Sequence, residues 1–267
     1  EPLLVPPASH AAVVGDEALL LARLTHDPVV VCANRVRAAQ RLLQEPVDVV
    51  VADDGLQHLA LARDLELAVI DAARGLGNGY LLPAGPLRES AARLSQVDAV
   101  VLNGEHAAGE AYHAVGGAYG SAADAALAGL SPAAVFAMQL QGERLWPLGG
   151  GAPVALHSLA GTRVHAVAGI GHPQRFFGQL AAAGLQVIAH PFPDHHRYRA
   201  GELEFGDDLP LLMTEKDAVK CRAFEARNRW FLPVAASFSA AQAAALRAQL
   251  VRCLALRRQS SPRLLES

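Results

Sequence analysis

The chain has 267 residues, 52% of them hydrophobic, and a formal net charge of -3. That length and composition describe a globular protein able to bury roughly three quarters of its unfolded surface, in one large or two smaller domains. The near-neutral balance provides no field to gather a polyanion, so nucleic acid is not an expected partner. No run of about 18 apolar residues is present to span a bilayer, and no signal peptide is visible. The three cysteines, Cys32, Cys221 and Cys253, are odd in number and lack CxxC spacing, which points to a reducing compartment, the cytoplasm by default, without structural zinc.

In chain order, residues 1–14 are Pro-rich and apolar without a period. Gly15-Asp16-Glu17 then leads into ALLLARL, a helical run behind two acids that also suit a helix N-terminus for electrostatic reasons alone. Pro28 to Cys32 reads as a buried strand, Arg35 to Leu43 as a helix, and Val47 to Ala52 as a second strand, the pattern of a parallel βαβ unit. Leu65 to Asp71 and Val97 to Leu102 predict further strands, with a short helix starting near Arg88 between them. Residues 104–131 form an Ala- and Gly-rich connection with few signals. Ala134 to Leu148 predicts a hairpin turning at Gln141-Gly142-Glu143, in the position of a linker between domains.

A second βα series follows. VHAVAGI, LQVIAH, Leu209 to Met213 and NRWFLPVAAS are its strands. HPQRFFGQLAAAG, the run starting at Thr214-Glu215-Lys216-Asp217, and SAAQAAALRAQLVRCLALRR are its helices. The expected division is 1–133 as an N-terminal core, 134–148 as the hairpin linker and 149–267 as a smaller α/β domain.

Three groups of residues exceed what packing asks for. Asp53-Asp54 falls at the expected carboxyl end of a strand, where open α/β sheets bind ligands and where an Asp commonly holds Mg²⁺; a helix-capping turn would use the same residues. Gln57 and His58 follow within a turn. Asn78 to Glu89 (NGYLLPAGPLRE) is either a rigid turn or a shaped surface whose Arg88 offers a planar fork to phosphate or sugar hydroxyls. Asp194-His195-His196 follows a strand of the second half, so His195 could pair with a carboxylate of the first half. Alternatively, Asp53, His58, Asp194 and the two histidines could form the metal cluster of a phosphoesterase. No GxxxxGK[ST] and no GxGxxG after a strand occurs; Gly169-Ile170-Gly171 and Gly149-Gly150-Gly151 lack the Lys-Ser/Thr partner of a phosphate cradle.

Together these residues resemble the tetraacyldisaccharide 4'-kinase family of lipid A biosynthesis. The segments that carry the likeness are Val14-Gly15-Asp16-Glu17, Asp53 to His58 (DDGLQH), Arg63-Asp64, Gly77-Asn78-Gly79 with Leu82 to Glu89 (LPAGPLRE), Gly169-Ile170-Gly171, Pro193 to His196 (PDHH) and Thr214 to Lys220 (TEKDAVK). They recur in order over nearly the whole chain. The resemblance implies an α/β fold with a P-loop-NTPase-like parallel sheet domain and a smaller C-terminal α/β domain. It further implies transfer of the ATP γ-phosphoryl to the 4'-hydroxyl of a tetraacylated glucosamine disaccharide 1-phosphate. The place would be the cytoplasmic face of the bacterial inner membrane, with peripheral attachment to the membrane surface, Mg²⁺ as cofactor and no protein partner.

By the same resemblance Asp16 is the catalytic base, paired with His195 and supported by Asp194. Glu17 and Asp53 are the Mg²⁺-associated acids with Asp54 beside them, and Arg35, Gln57, His58, Arg88 and Glu89 contact the disaccharide and its phosphate. The family's membrane-associated helix and Walker A loop would precede the Gly15-Asp16-Glu17 segment. Because the chain opens on Glu1-Pro2 rather than Met, a longer natural chain is expected. Departures from the family pattern are Ala18 for a usual Pro, Asn34 where Asp commonly precedes the Arg, and His172 for a usual Asn. Two alternatives remain at this level: a dinuclear metal-dependent phosphoesterase, and a catalytically dead relative that binds the lipid disaccharide.

Overall fold

A computed structural model of the chain describes residues 1–72, 74–104, 135–224 and 227–260. Its elements begin with β1 (Leu3–Leu4), α1 (Ala11–Val14), α2 (Asp16–Thr25), β2 (Val30–Val31), α3 (Arg35–Leu42), β3 (Leu67–Asp71) and β4 (Ala99–Asn103). Next come β5 (Val135–Gln141), β6 (Arg144–Pro147), β7 (Val154–Ala155), β8 (Arg163–Ala168), α4 (Pro173–Ala182) and β9 (Gln186–Pro191). The chain then forms β10 (Leu211–Thr214), α5 (Glu215–Cys221), β11 (Arg229–Leu232), β12 (Ala235–Ser237) and α6 (Ala240–Ser260). The connection expected over 104–131 lies, after Gly104, outside the described residues.

Contacts gather the chain into two units. The first comprises residues 1–53 and 142–235, and the second 54–141 and 236–267. The expected division followed chain order, with the N-terminal residues beside 54–133; here they pack with 142–235 instead. The reason is α2, whose Leu19 and Ala22 join Val5, Val14 and Val219 of α5 in one buried cluster.

The first unit is built on a six-stranded sheet of order β7-β6-β11-β10-β8-β9, in which β11, β10, β8 and β9 run parallel. Both faces are covered. Val164, Ala166 and Ala168 of β8 point into one core with Phe176, Phe177 and Leu180 of α4, while Val167 points into another with Met213 and Cys221. Double burial explains the continuous apolar runs of these strands. The second unit holds a four-stranded sheet of order β12-β5-β4-β3, whose β3, β4 and β5 are parallel. One face packs Leu76 and Leu94, and the other meets Phe238 and Leu246 of the α6 region.

The α/β class with parallel sheets is thus as expected, and three local expectations are corrected. NRWFLPVAAS, expected as one strand, is two: β11 in the six-stranded sheet and β12 in the four-stranded one. Residues 47–52 form no strand: Val49, Val50 and Val51 are exposed, and β2 pairs antiparallel with β1 rather than entering a parallel sheet. Nor do β5 and β6 pair as a hairpin, since they belong to different sheets. A Cβ on Gly142, between them, would lie 2.6 Å from the carbonyl oxygen of Pro233, so the chain crosses close to its own backbone there.

Candidate active site

In the first unit the site grows from the start of α2. Gly15, at φ 89, ends α1 and precedes α2, a conformation that only glycine adopts without strain. This sharp entry places Asp16 as the first helical residue, buried, with one carboxylate oxygen accepting from the Glu17 N–H at 3.0 Å. Packing of α2 against α5 brings it to the loop after β9. There His195 Nδ1 stands 3.2 and 3.3 Å from the two Asp16 oxygens.

His195 itself has a left-handed backbone, at φ 57, and its N–H donates to Asp194 Oδ1 at 2.9 Å. Left-handed backbone is uncommon for a side chain of this kind and costs about 1–2 kcal/mol, so its neighbours must hold it. Asp194 is one of them, and it also lies 3.5 Å from Lys216 Nζ. His196, by contrast, turns away to Glu202 Oε2 at 3.1 Å and packs on Phe192 and Tyr198. Of the two adjacent histidines, only His195 joins the Asp16 set.

Three residues of α5 to which no role was assigned complete this set. Lys216 reaches Glu17 at 2.9 Å, and Lys220 lies 3.7 Å from Asp16 and 2.7 Å from Asp217. Asp217 is fully buried and accepts from Thr214 Oγ1 at 2.6 Å and from the Gly169 N–H at 3.0 Å. Packing accounts for Gly169: a Cβ there would sit 2.9 Å from the Tyr198 hydroxyl. The signal for the lysines was their four-residue spacing, which places both on one face of a helix.

Burial alone would raise the proton affinity of Asp16, but Lys216, His195, Lys220 and the Glu17 N–H together hold its carboxyl below the usual range. Asp16 is therefore ionised at neutral pH. Burial and the nearby Asp217 push the Tyr198 hydroxyl up, and burial pushes the Cys221 thiol to about 12, so neither is a nucleophile. The three cysteines are free thiols.

Arg35 opens α3, behind Asn34, whose side chain caps the helix by accepting from the Arg37 N–H at 3.0 Å. Asn caps as well as Asp does, so this departure leaves the placement of Arg35 intact. Asp53 ends the first unit as an exposed turn residue, not a strand end.

The second unit begins at Asp54, also left-handed at φ 50. Its carboxylate faces the Arg88 guanidinium in a two-pronged pair, one prong of which measures 2.9 Å. Gln57 donates to Glu89, and half-buried His58 occupies a turn closed by its N–H to the Gly55 carbonyl at 3.0 Å. Behind them runs a network that the sequence did not disclose. Arg63 donates to the carbonyls of Gly55 and Leu56, Glu66 accepts from Arg63 and Arg93, and Arg93 lies 3.6 Å from Glu89. DDGLQH and the end of LPAGPLRE are thereby fastened to each other.

The two units therefore carry the expected residues as two sets: Asp16, Glu17, Arg35, Asp53, Asp194 and His195 in the first, and Asp54, Gln57, His58, Arg88 and Glu89 in the second. Among the described residues no group of three or more His, Cys, Asp or Glu side chains could hold a metal ion by itself; in the first unit His195 is engaged by Asp16 and His196 by Glu202. Mg²⁺ needs less, because it keeps several waters and takes one or two carboxylates together with substrate phosphates. Exposed Glu17 and Asp53 have the hard oxygen donors that suit it, although Glu17 is paired with Lys216 as Asp54 is with Arg88. Among the described residues no helix is long and apolar enough to cross a membrane.

Comparison with known proteins adds to this geometry. The family model described as tetraacyldisaccharide-1-P 4'-kinase matches residues 1–254. The chain is 51% identical over 251 residues to the tetraacyldisaccharide 4'-kinase of Alkalilimnicola ehrlichii, covering 94% of this chain and 69% of that protein. It is 49% identical over 256 residues to the enzyme of the same name from Pseudomonas paraeruginosa, covering 95% and 70%. Among solved structures, the "apo" form of LpxK from Aquifex aeolicus in complex with ATP superposes with a TM-score of 0.68 at 25% identity, over 95% of this chain and 74% of that one.

Proposed function

The chain belongs to the tetraacyldisaccharide-1-P 4'-kinase family, and from that premise we propose how its residues divide the reaction. The reaction is ATP-dependent phosphorylation of the 4'-hydroxyl of a tetraacyldisaccharide 1-phosphate, a step of lipid A biosynthesis. Asp16 is the general base: as the 4'-oxygen bonds to the γ-phosphorus and the bond to the ADP oxygen breaks, Asp16 takes the hydroxyl proton. His195 orients the carboxylate and shares the charge. The observation that carries this reading is the approach of His195 Nδ1 to both oxygens of a buried, ionised Asp16.

A sugar hydroxyl is a weak nucleophile, so a base within reach of it contributes typically 10²–10⁴-fold. The remainder of phosphoryl transfer is positioning and charge neutralisation. Lys216, between Glu17 and Asp194, keeps two acids beside the base from repelling it. Glu17 and Asp53 would hold Mg²⁺, which when bound offsets phosphate charge. Arg35, Gln57, His58, Arg88 and Glu89 recognise the disaccharide and its phosphate. A lipid-linked acceptor of this kind supports peripheral attachment at the cytoplasmic face of the inner membrane.

The phosphoesterase alternative is not favoured by the family. The test is transfer of label from γ-labelled ATP to the tetraacyldisaccharide 1-phosphate with added Mg²⁺. Labelled bisphosphate product is expected. Release of free phosphate from the acceptor without ATP would overturn the reading.

A further inference from the structure

The crest of the loop that carries Arg88 is apolar and open. Tyr80, Leu81 and Leu82 expose 65%, 48% and 63% of their surface, although consecutive large apolar side chains are normally turned inward or broken by polar residues. A slack linker would explain such exposure, but this backbone is fastened at every turn. Asn78 donates to the Ala84 carbonyl at 2.9 Å and accepts from the Tyr80 N–H at 3.2 Å. Gly85 N–H donates to Leu81, Leu82 N–H to Leu87, and Leu87 N–H to Tyr80. Gly85 is required, because a Cβ there would collide with Asn78 Oδ1 and the Tyr80 carbonyl. The loop is built to hold those three side chains outward.

We propose that Tyr80, Leu81 and Leu82 form the subsite that receives acyl chains of the lipid-linked acceptor. The inference rests on the reading that Arg88 and Glu89 bind the head of that acceptor. Continuity of the loop carries it. Leu87, which bridges to Leu81, immediately precedes Arg88 and Glu89, so one fastened segment offers a guanidinium at its base and hydrocarbon at its crest. A ligand with a phosphorylated sugar head and long acyl chains has the same order of chemistry. Leu59, 75% exposed, repeats the pattern on the other segment: it follows His58, its N–H donates to the Gln57 carbonyl at 3.1 Å, and Gln57 is bonded to Glu89. Apolar side chains therefore flank the polar set along the chain on both of its segments.

Equilibrium binding of two probes tests this, the tetraacylated glucosamine disaccharide 1-phosphate in detergent micelles and the same disaccharide stripped of acyl chains. The preference of the wild-type protein for the acylated probe is expected to fall about tenfold or more in the double variant Leu81→Ser/Leu82→Ser. Arg88→Ala is expected to weaken both probes alike. Should the double variant fail to fold, Leu82→Gln alone gives the same comparison. An unchanged preference while Arg88→Ala still weakens both probes overturns the acyl subsite and leaves the head-group reading standing. An unchanged preference with loss of binding to acceptor-free phospholipid vesicles assigns the crest to the bilayer and also overturns it. Wild-type protein that binds neither probe overturns both readings.

Discussion

His195 Nδ1 lies within 3.3 Å of both carboxylate oxygens of Asp16, although 179 positions separate the two residues in the chain. The relationship depends on α2 docking against α5, which puts both residues in one unit. The division expected from the sequence put the two residues in different domains; by contacts they share one unit. If the pair acts as one device, removing either member should cost most of what removing both costs. His195→Ala and Asp16→Asn are each expected to lower kcat by about 10²-fold or more, with the double variant close to the slower single one. Steady-state turnover checks this, and a His195→Ala protein with full turnover would exclude the dyad.

Lys220 stands 3.7 Å from Asp16 and contributes to keeping its carboxyl below the usual range. The sign follows directly. Because folding lowers the proton affinity of Asp16, the group stabilises the fold above the ordinary carboxylate range, and that contribution is lost as pH falls through the lowered value. Lys220→Met removes part of the cause, so Asp16 should titrate at higher pH. The acid limb of the pH–rate profile is expected to move upward in pH; an unmoved limb would show that Lys216 and His195 suffice.

Asp217 has no exposed surface and gathers a backbone N–H, a hydroxyl and an ammonium group. Removing its charge leaves Lys220, itself only 10% exposed, with the more distant Asp16 as remaining partner. Breaking such a pair is costly because the surviving charge stays buried. Asp217→Asn is expected to lose about 2–3 kcal/mol of stability. The urea midpoint should fall with little change in slope.

The pattern of what the sequence disclosed has a physical basis. Strands β8, β10 and β11 were legible because burial on both faces imposes uninterrupted apolar runs. The same logic failed at 47–52, since an apolar run by itself does not say whether a sheet is there to receive it, and Val51 is 87% exposed. The hairpin failed for a related reason. β5 and β6 have strand-like patterns and a glycine turn between them, but sheet membership is set by tertiary partners. In the site, the acids and histidines stood out because packing has no use for them in that order. Lys216, Lys220, Glu66 and Arg93 did not, because charged residues at helical or turn spacing are ordinary on any surface.

Arg88 and Asp54 are both more than half exposed, so their ion pair contributes at most about 1 kcal/mol to stability. A two-pronged geometry held where it stabilises so little suggests that it orients the guanidinium for a ligand. Arg88→Lys keeps the charge and loses the fork. Thermal stability is expected to change by less than about 1 kcal/mol, while KM for the lipid acceptor rises and KM for ATP does not. An equal rise in both constants would count against a role in acceptor binding.

His172 precedes Pro173 at the start of α4, and its side chain makes no capping hydrogen bond. The first N–H groups of a helix lack internal partners, and an Asn or Asp at this position satisfies one of them where an imidazole here does not. His172→Asn is therefore expected to stabilise the first unit by about 0.5–1 kcal/mol. The gain should appear as a raised urea midpoint and persist at high salt, because the new bond is a local amide-to-backbone contact rather than a long-range charge effect. A midpoint unchanged or lowered would mean that the loop after β8 already satisfies those N–H groups in another way.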